Sequence, residues 1–453
     1  MKNLTLNNII KAVGGVYHGD AALLEKTISA VTTDSRKVTE NCLFAAIKGE
    51  NSDGHDYIEK AFEMGALCVI AEHLPENCEN PIIVVKNTIT ALGDIAAFYR
   101  RQFDIPVIGI TGSVGKTTAK EMLYAVLSSR FRVHRTPENL NNELGVPLTI
   151  FGINETHEAA IIEMGISHFG EMHRLAEIVS PDMALYTVIG AAHLEFLGDF
   201  AGVLRAKTEM LEHLPENGTV FVNGDDPYLS KISCKPHICR FGLAESCEVT
   251  AEKVHIMGTD GMELTILAGE RHIDAKISAY GIHMVSAALG AAAVGIQMGL
   301  TDEEIQKGLA AYVPVGSRAG IINTDEITII DDCYNANPTS VAAAIDSLTM
   351  LDCRRVCILG DMLELGDTAA ALHREVGERA AKRGTSLVLT CGALSKNTAE
   401  GAREKGCENA LHFESKAELI NALPELIKKG DAVLVKASHS MKFEEIVKVL
   451  EKL

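Results

Sequence analysis

Short apolar runs alternate with helical stretches over residues 106–222, and this alternation is the feature that most constrains the fold. Strands are predicted over the apolar runs and helices over the stretches between them. The predicted strands are Pro106–Ile110, Ala159–Glu163, Met183–Ile189 and Thr219–Val222, and the predicted helices are Lys116–Ser129, Phe169–Val179 and Asp199–Leu214. Continuously apolar strands joined by helices are typical of a mainly parallel sheet. We therefore predict a parallel α/β domain in this part of the chain.

The alternation resumes after a break at Ala311–Gly320, where proline and glycine interrupt it. Four further strands are predicted there, at Ile327–Ile330, Val356–Leu359, Leu387–Leu389 and Ala432–Val435. The residues before Asp104 also mix short apolar runs with amphipathic stretches. A chain of 453 residues has room for several domains of ~100–200 residues each. The predicted fold is therefore α/β with three domains, at residues 1–105, 106–313 and 314–453.

A glycine-rich segment, TGSVGKTT at residues 111–118, follows the first strand of the central domain and opens a helix. Glycines let backbone N–H groups approach phosphate oxygens, and the following helix presents its positive end. Lys116 can then reach the terminal phosphates, and the Thr117 hydroxyl can ligate Mg²⁺. The strict G-x-x-x-x-G-K-[ST] pattern is not met because residue 110 is Ile, but the strand–loop–helix context is right. The segment predicts nucleoside triphosphate binding by Gly112, Ser113, Val114, Gly115, Lys116, Thr117 and Thr118.

Two further polar residues follow strands of the central domain. Glu163 ends the strand in AIIEMG, and His193 follows the strand in MALYTVI. Ligands of parallel sheets bind at the carboxyl ends of the strands, so both side chains can complete a Mg²⁺ site begun by Thr117. Oxygen is a more usual Mg²⁺ ligand than imidazole, and each residue could instead have a structural role. Their place beside the phosphate loop favours metal binding.

Lys207 lies on the apolar face of the helix predicted over Asp199–Leu214. An inward-facing lysine either extends its ammonium group to solvent or takes part in chemistry. One such reaction is the addition of carbon dioxide, which converts the amine into a carbamate able to bind metal. The spacing alone leaves both interpretations open. The apolar residues of that face are Phe200, Val203, Leu204, Met210, Leu211 and Leu214.

The chain is acidic, with 42 Lys+Arg against 61 Asp+Glu and a net charge of −19. This surplus of acid argues against a protein that binds nucleic acid or anionic membranes, because both need basic surface. The central segment 106–313 holds 15 basic and 26 acidic residues, a charge of −11. A nucleotide bound there needs local positive charge from the loop N–H groups, Lys116 and metal. We therefore expect the activity to depend on a divalent metal.

Eleven cysteines occur without a C-x-x-C pair, which indicates free thiols in a reducing compartment and no zinc site. The N-terminus lacks the apolar core of a signal peptide. The most apolar stretch, Tyr280–Leu300, contains His283, Ser286 and Gln297, so a buried helix is predicted rather than a membrane span. We expect a cytoplasmic monomer with no stable membrane insertion.

Several motifs, in order along the chain, resemble those of the ATP-dependent Mur ligases of peptidoglycan synthesis. The motifs of the last segment are most similar to those of family members that add a dipeptide. Together the motifs span almost the whole chain and are specific. Besides the glycine-rich loop they are DSR at 34–36, KGE at 48–50, DGHD at 53–56, NLNNELGVP at 139–147, EMG at 163–165, His193, RAK at 205–207, DDCYNANP at 331–338 and GDMLELG at 360–366.

The resemblance implies a first domain that recognises the UDP-sugar end of the substrate, a central P-loop domain that binds ATP, and a C-terminal Rossmann-like domain that helps close the site. It implies that ATP phosphorylates the terminal carboxylate of a UDP-N-acetylmuramoyl-tripeptide to an acyl phosphate. The amine of D-alanyl-D-alanine then attacks, and phosphate leaves as the peptide bond forms. The motifs leave both lysine and diaminopimelate open as the third residue of the tripeptide.

The resemblance also implies roles for individual residues. Thr117 and Glu163 would hold one Mg²⁺, and His193 with a carbamylated Lys207 would help hold a second near the acyl phosphate. This assigns the inward-facing lysine a role that its spacing left open. The implied catalytic residues are Lys116, Lys207, His193 and Asn142, with Asn142 beside the phosphates.

Contacts to ATP and to the other substrates are implied in the same way. His283 would contact the nucleotide, and Arg318 and Asp332 would reach ATP from the third domain on closure. The implied substrate-binding residues are Ser35, Arg36, Asn335, Asn337, Lys436 and Ser438.

Two motifs depart from the family pattern. The motif G-x-H-N-x-x-N reads GIHMVSA at 281–287, so Met284 and Ala287 stand where asparagines are usual. The C-terminal KGSRSM reads KASHSM at 436–441, so His439 replaces an arginine and a permanently charged bidentate donor is lost. The departures therefore affect the expected adenine contacts and one anion contact.

Two alternative functions were weighed against the dipeptide-adding ligase. A family member that adds a single amino acid carries a DNPR signature in its last domain, and this sequence has none. A P-loop protein that uses ATP only to switch partners would not need potential ligands at successive strand ends. The sequence therefore favours the dipeptide-adding ligase.

Overall fold

The computed structural model describes residues 1–49, 52–76 and 78–453. Within these residues the strands form three sheets of five, nine and six strands. The sheets use residues 16–84, 107–277 and 320–436 in turn, with helices packed against them. The predicted fold class is therefore confirmed: three α/β units, the central one with a P-loop and the last one Rossmann-like. Glu50 of the KGE motif lies outside the described residues.

The first sheet is small, mostly parallel and edged by one antiparallel strand. That strand, Val16–His18, pairs with Ile82–Val84. Its helices are Leu6–Val13, Ile58–Glu63 and Thr88–Arg100. Across the sheet the strands run in the order Val16–His18, Ile82–Val84, Cys68–Ala71, Leu43–Ala45 and Val31–Thr32.

The central sheet combines a parallel part, which contains the phosphate loop, with an antiparallel extension. The sequence prediction missed the extension because its strands contain exposed or half-buried positions instead of forming continuous buried runs; in Arg271–Ile277 exposed and buried residues alternate. The order is Arg271–Ile277, Met262–Ala268, Val249–Ile256, His237–Phe241, Thr219–Asn223, Met183–Tyr186, Val107–Thr111, Ala159–Glu163 and Val133–Arg135. The helices of this unit are Lys116–Leu127, Gly145–Ile150, Glu171–Val179, Leu194–Leu197, Phe200–Thr208, His283–Gln297 and Asp302–Ala310.

Four predicted elements of the central unit are shorter than expected, and two of them, the strand from Met183 and the helix from Asp199, differ most. The strand from Met183 ends at Tyr186, after which Thr187 turns to donate its hydroxyl to the Val114 carbonyl of the phosphate loop. The helix predicted to reach Leu214 ends at Thr208 and continues as the 3-10 helix Glu209–His213. The Glu209 carboxylate there accepts the N–H groups of Gly170 and His173, which draws the chain against the neighbouring helix.

The apolar stretch around residue 290 forms the helix His283–Gln297, which packs in the core of the central unit as predicted. Its residues Ala288, Leu289 and Ala292 are fully buried. In the part of the chain that the structure describes, no helix is both long and apolar enough to cross a membrane.

The last sheet is parallel except for its first strand, Gly320–Asn323, which pairs antiparallel with Thr328–Asp331. Strand Ala432–Lys436 lies at its centre, between Thr328–Asp331 and Arg355–Gly360. The order is completed by Leu387–Cys391 and Ala410–Phe413. The helices are Pro338–Leu348, Ala369–Lys382, Lys396–Glu404, Lys416–Leu426 and Glu444–Leu450.

Arg100, at the end of the first unit's last helix, ties this helix to the central unit. Its guanidinium is buried and donates to the carbonyl oxygens of Val179 at 3.1 Å and Phe103 at 2.8 Å. Asp182 lies 3.6 Å from it. The arginine therefore satisfies buried carbonyls on both sides of the junction.

Replacing Arg100 with methionine should destabilise this junction. Arg100→Met keeps much of the apolar stem but leaves the carbonyls unpaired, which costs about 2 kcal/mol and lowers Tm by several degrees. The matched control is Arg101→Met at the adjacent, exposed position. Equal melting temperatures of the two variants in calorimetry would contradict this account.

Candidate active site

The glycine-rich loop joins the strand Val107–Thr111 to the helix Lys116–Leu127, as the sequence predicts. At Gly112 φ is +154°, and a Cβ there would lie 2.0 Å from the Thr187 hydroxyl oxygen, so only glycine fits. The Lys116 ammonium folds back and donates to the Gly112 carbonyl at 2.9 Å. Removal from water lowers the pKa of Lys116, and the Glu163 carboxylate opposes this shift. The loop thus presents N–H groups and one ammonium at a helix N-terminus, the arrangement that binds phosphate.

The carboxylate of Glu163 lies directly beside this loop. It is buried and accepts the Thr117 hydroxyl at 3.0 and 3.2 Å and the Asn141 amide at 2.8 Å. The two residues predicted to hold the first Mg²⁺ are therefore in contact. A hydroxyl and a carboxylate form an all-oxygen donor set, which suits Mg²⁺. Among the residues that the structure describes, no three His, Cys, Asp or Glu side chains cluster to hold a metal.

Lys120 is a neighbour of Glu163 that the sequence analysis missed. Its ammonium is fully buried, donates to the carbonyl oxygens of Thr136 at 2.9 Å and Glu138 at 3.0 Å, and lies 3.5 Å from the Glu163 carboxylate. It also lies 3.3 Å from Glu121. Lys120 follows Lys116 by about one helical turn, so both side chains lie on the same face of the helix. This i,i+4 spacing could have predicted that Lys120 lies near the site.

A cavity of about 620 Å³ extends from the loop to the C-terminal unit. Most of the predicted site residues line it. From the central unit these are Ser113, Val114, Gly115, Lys116, Thr117, Thr118, Asn142, Glu163, His193 and His283, and from the C-terminal unit they are Arg318, Asp332, Asn335, Asn337 and Lys436. The structure thus brings together groups that are more than 300 residues apart.

The remaining predicted site residues do not line this cavity. Gly112 lies in the loop against Thr187, and Lys207 is buried. Ser35 and Arg36 lie in the first unit, where the exposed Arg36 pairs with Asp34 at 2.9 Å and lowers the pKa of that carboxyl to about 2. The Ser438 hydroxyl instead accepts the Leu363 N–H at 3.1 Å.

The prediction that Lys207 faces inward is confirmed. The residue is 1% exposed on the helix Phe200–Thr208. Burial and the nearby charge of Lys116 lower its pKa well below the usual value. Burial therefore shifts the protonation equilibrium of this amine toward its neutral form.

His193 stands at the turn before the short helix Leu194–Leu197, with φ +53°. Its Nδ1 lies 2.6 Å from the carboxylate of Glu364, which belongs to the C-terminal unit. Burial lowers the pKa of His193, with smaller contributions from Lys207 and Lys116, and Glu364 opposes the shift.

The C-terminal unit contributes a buried ion pair to the cavity. The Lys436 ammonium lies 2.5 Å from the Asp332 carboxylate and donates to the Asn335 carbonyl at 2.9 Å. The other oxygen of Asp332 accepts the Ala319 N–H at 3.2 Å. The Arg318 guanidinium lies 3.8 Å from the centre of the Tyr334 ring. These contacts hold Arg318 and Asp332, the two residues of this unit predicted to reach ATP, at the wall of the cavity.

The three predicted asparagines have structural hydrogen bonds as well as positions on the cavity. Asn142 accepts the Gly145 N–H at 2.9 Å, at the start of the helix Gly145–Ile150. Asn337 caps the helix Pro338–Leu348 by accepting the Ser340 N–H at 2.8 Å. Asn335 accepts the N–H of its neighbour Ala336. In each case the oxygen is occupied and the NH₂ group remains for a ligand.

The departures from the family motifs lie in two different places. Met284 and Ala287 line the cavity beside His283, whose Nδ1 is buried without a hydrogen-bond partner in the described part of the chain. Burial lowers the pKa of His283. His439 does not line the cavity. Its exposed ring lies 5.4 Å from that of Tyr334 and 3.7 Å from the Glu444 carboxylate.

The fold and the cavity define a three-unit P-loop α/β protein with a cleft between its central and C-terminal units. Three family models match it: the Mur ligase family catalytic domain at residues 27–100, the Mur ligase middle domain at 110–295, and the Mur ligase glutamate ligase domain at 317–439. The matches occur in the same order as the three sheets.

Individual relatives match along the whole chain. The UDP-N-acetylmuramoyl-tripeptide–D-alanyl-D-alanine ligase of Bacillus subtilis is 38% identical, and that of Escherichia coli is 36% identical; the alignments cover 98% and 100% of this chain and 98% and 99% of the relatives. A crystal structure of MurF from Acinetobacter baumannii is 30% identical, covers 99% of both chains and has a TM-score of 0.92. The chain belongs to the Mur ligase family, whose members are ATP-dependent ligases that form peptide bonds.

Gly112→Ala tests the geometry of the loop. The added methyl group collides with Thr187 at a positive φ, so we expect affinity for ADP with Mg²⁺ to fall at least tenfold in calorimetric titration. The control is Gly170→Ala, which also has positive φ (+82°) but nothing within 4 Å of the added carbon. Unchanged nucleotide affinity in Gly112→Ala would show that the loop does not hold phosphate.

Proposed function

We propose that this Mur ligase joins D-alanyl-D-alanine to UDP-N-acetylmuramoyl-tripeptide, with conversion of ATP to ADP and phosphate. The product is the UDP-muramoyl-pentapeptide precursor of peptidoglycan. The observation that carries the proposal is similarity along the entire chain to ligases named for this reaction, including the C-terminal unit. The GDMLELG and DDCYNANP motifs of that unit support a dipeptide as the acceptor.

The three domains are proposed at residues 1–105, 106–313 and 314–453. The sheets at residues 16–84, 107–277 and 320–436 support this division, since each falls within one segment. We assign UDP-sugar recognition to the first domain through Ser35 and Arg36. Arg36 is exposed, so its guanidinium is accessible to a diphosphate or a uracil.

In this proposal the glycine-rich loop holds the phosphates of ATP. Its N–H groups and the start of the helix Lys116–Leu127 supply positive potential, and Lys116 exchanges the Gly112 carbonyl for a phosphate oxygen. Asn142 offers its NH₂ group to the same phosphates. His283, Arg318 and Asp332 are assigned to the nucleotide because all three line the cavity, with Asp332 held in place by Lys436.

Thr117 and Glu163 are proposed to hold Mg²⁺, and the contact between their oxygens supports this assignment. When bound there, Mg²⁺ would neutralise the charge of the phosphates during transfer. Lys120 and Asn141 hold the Glu163 carboxylate in one orientation. Two metal ions are proposed in all, the second near His193 and Lys207.

The reaction itself needs two displacements in one closed cavity. A carboxylate oxygen of the tripeptide attacks the γ-phosphorus of ATP, and the bond to ADP breaks. The neutral amine of the dipeptide then attacks the carbonyl carbon, loses a proton, and expels phosphate as the C–N bond forms. Lys116 and the loop N–H groups stabilise the developing negative charge. The proposed substrate contacts are Asn335, Asn337, Lys436 and Ser438, of which the first three line the cavity.

Carbamylation of Lys207 is part of the proposal. The amine adds to carbon dioxide with loss of a proton, which places a carboxylate on the buried side chain and reverses its charge. The lowered pKa of the amine supports this reaction, because only the neutral form adds to carbon dioxide. The modified side chain and His193 would together provide ligands for the second metal.

We further propose a cytoplasmic, monomeric enzyme with no nucleic-acid partner. All eleven cysteines are free, which supports a reducing compartment. The acidic charge of −19 opposes binding to polyanions.

Release of phosphate tests the reaction. We expect ATP-dependent phosphate release only when UDP-N-acetylmuramoyl-tripeptide and D-alanyl-D-alanine are both present, with the pentapeptide product in equal amount by mass spectrometry. Single amino acids in place of the dipeptide serve as the control for the alternative acceptor. Phosphate release that is unaffected by the dipeptide would sink the ligase assignment.

Lys207→Ala should be nearly inactive and partly rescued by short carboxylic acids such as formate. The acid would occupy the space of the carbamate and restore the missing carboxylate. Lys231→Ala, at an exposed position of the same unit, is the control. Full activity of Lys207→Ala without added acid would refute the carbamate, as would the absence of bound ¹³CO₂ in the carbonyl region of the NMR spectrum.

A further inference from the structure

Glu364, a residue of the C-terminal unit, lies close to His193, a proposed catalytic residue of the central unit. Its carboxylate oxygen lies 2.6 Å from Nδ1 of His193. No described group forms a well-angled hydrogen bond with this Nδ1, which is buried. A small rotation of either side chain would complete the bond to Glu364. Glu364 belongs to the sequence motif GDMLELG at residues 360–366, and the proposed reaction assigns no role to a residue of this motif.

The loop that carries Glu364 is held from both ends. On one side the Met362 N–H is bound by His373 Nε2 at 2.9 Å and the Leu363 N–H by the Ser438 hydroxyl at 3.1 Å. On the other side Thr368 donates to the Leu365 carbonyl at 2.7 Å. Glu364 itself has φ +61°, an unfavourable conformation for a residue with a Cβ. Such a conformation persists only where the surroundings impose it.

We propose that Glu364 is a positioning residue for the ligase reaction. Its carboxylate accepts a hydrogen bond from the Nδ1–H of His193. The neutral imidazole then carries its proton on Nδ1, and the lone pair of Nε2 is free for a ligand. Buried histidines that bind metal or substrate commonly depend on such a carboxylate at the second nitrogen. Because Glu364 belongs to the C-terminal unit, His193 is oriented only when that unit is docked against the central one. The inference rests on the proposed role of His193 in this site.

The consequence is that docking and the assembly of the reaction centre are coupled. With the C-terminal unit displaced, the imidazole loses its partner and is free to change tautomer. ATP bound to the loop would then lack an oriented His193. The arrangement would limit loss of the acyl phosphate to water before the acceptor amine is enclosed.

The test reads the tautomer of His193 directly. In ¹⁵N-histidine-labelled full-length protein with ADP and Mg²⁺, long-range ¹H–¹⁵N spectra should show His193 protonated at Nδ1, with the signals assigned by their loss in His193→Gln. Glu364→Ala should give a mixture of tautomers. Asp367→Ala, three residues along the same loop and exposed, should keep the wild-type spectrum.

Kinetics provide the second readout. Glu364→Ala should lower kcat for phosphate release about 10–100-fold with little change in KM for ATP. In a His193→Gln background the same substitution should have almost no further effect, since the two residues act as a unit. Glu364 is half exposed, so the variant should melt at the wild-type temperature. If Tm falls, Glu364→Met, which keeps the length of the side chain but has no oxygen to accept the Nδ1–H, replaces it with the same expectations.

Two results would overturn the proposal: an unchanged His193 tautomer in Glu364→Ala, or additive losses in the double variant. Either can occur while wild-type protein still makes the pentapeptide, in which case the proposed function stands and only the role of Glu364 is lost. If wild-type protein makes no pentapeptide, the proposed function itself fails.

Discussion

The buried carboxylate of Glu163 is the constraint on which the rest of the site depends. Glu163 is 1% exposed, so its negative charge needs hydrogen-bond donors or a positive charge beside it. Removing one partner of a buried ion pair costs roughly 3–5 kcal/mol. Its partners come from the helix after the phosphate loop, through Thr117 and Lys120, and from the next segment, through Asn141. Neutralising this one charge therefore fixes the loop, its helix and the neighbouring strand relative to one another.

The C-terminal unit completes the cavity, part of whose wall is formed by the central unit. Its contacts need close approach: a Cβ on Gly190 would lie 2.4 Å from the Thr339 hydroxyl oxygen, and the Tyr280 hydroxyl donates to the Ser347 carbonyl. Behind this contact the Lys436–Asp332 ion pair keeps two charged groups at the cavity wall. Glu364 reaches His193 across the same junction. The C-terminal unit therefore forms one wall of the cleft that holds the predicted site residues.

Particular residues show how far sequence reasoning reached. The apolar stripe on one helix correctly predicted that Lys207 faces inward, because a helix period is a local property, but the spacing left open whether its ammonium reaches solvent. The same reasoning predicted that the helix continues to Leu214, whereas it ends at Thr208. This end depends on Glu209, whose carboxylate binds the start of a different helix. Sequence reasoning also missed the antiparallel strands at 249–277, where one face is solvated, and it missed Lys120 and Glu364, whose partners are distant in sequence.

The sequence by itself determined the α/β class, the phosphate loop and the family, because apolar periodicity and short motifs are properties of neighbouring residues. Only the tertiary structure decided which polar groups meet. The cavity joins Ser113 to Lys436, and the pairing of His193 with Glu364 spans 171 positions of the chain. Such contacts depend on how three folded units are packed, and the charge of an isolated residue says nothing about its partner. The charge of the whole chain is likewise a poor guide to its ligands. The net charge is −19, yet the N–H groups of the glycine-rich loop and Lys116 form a local site that favours anions.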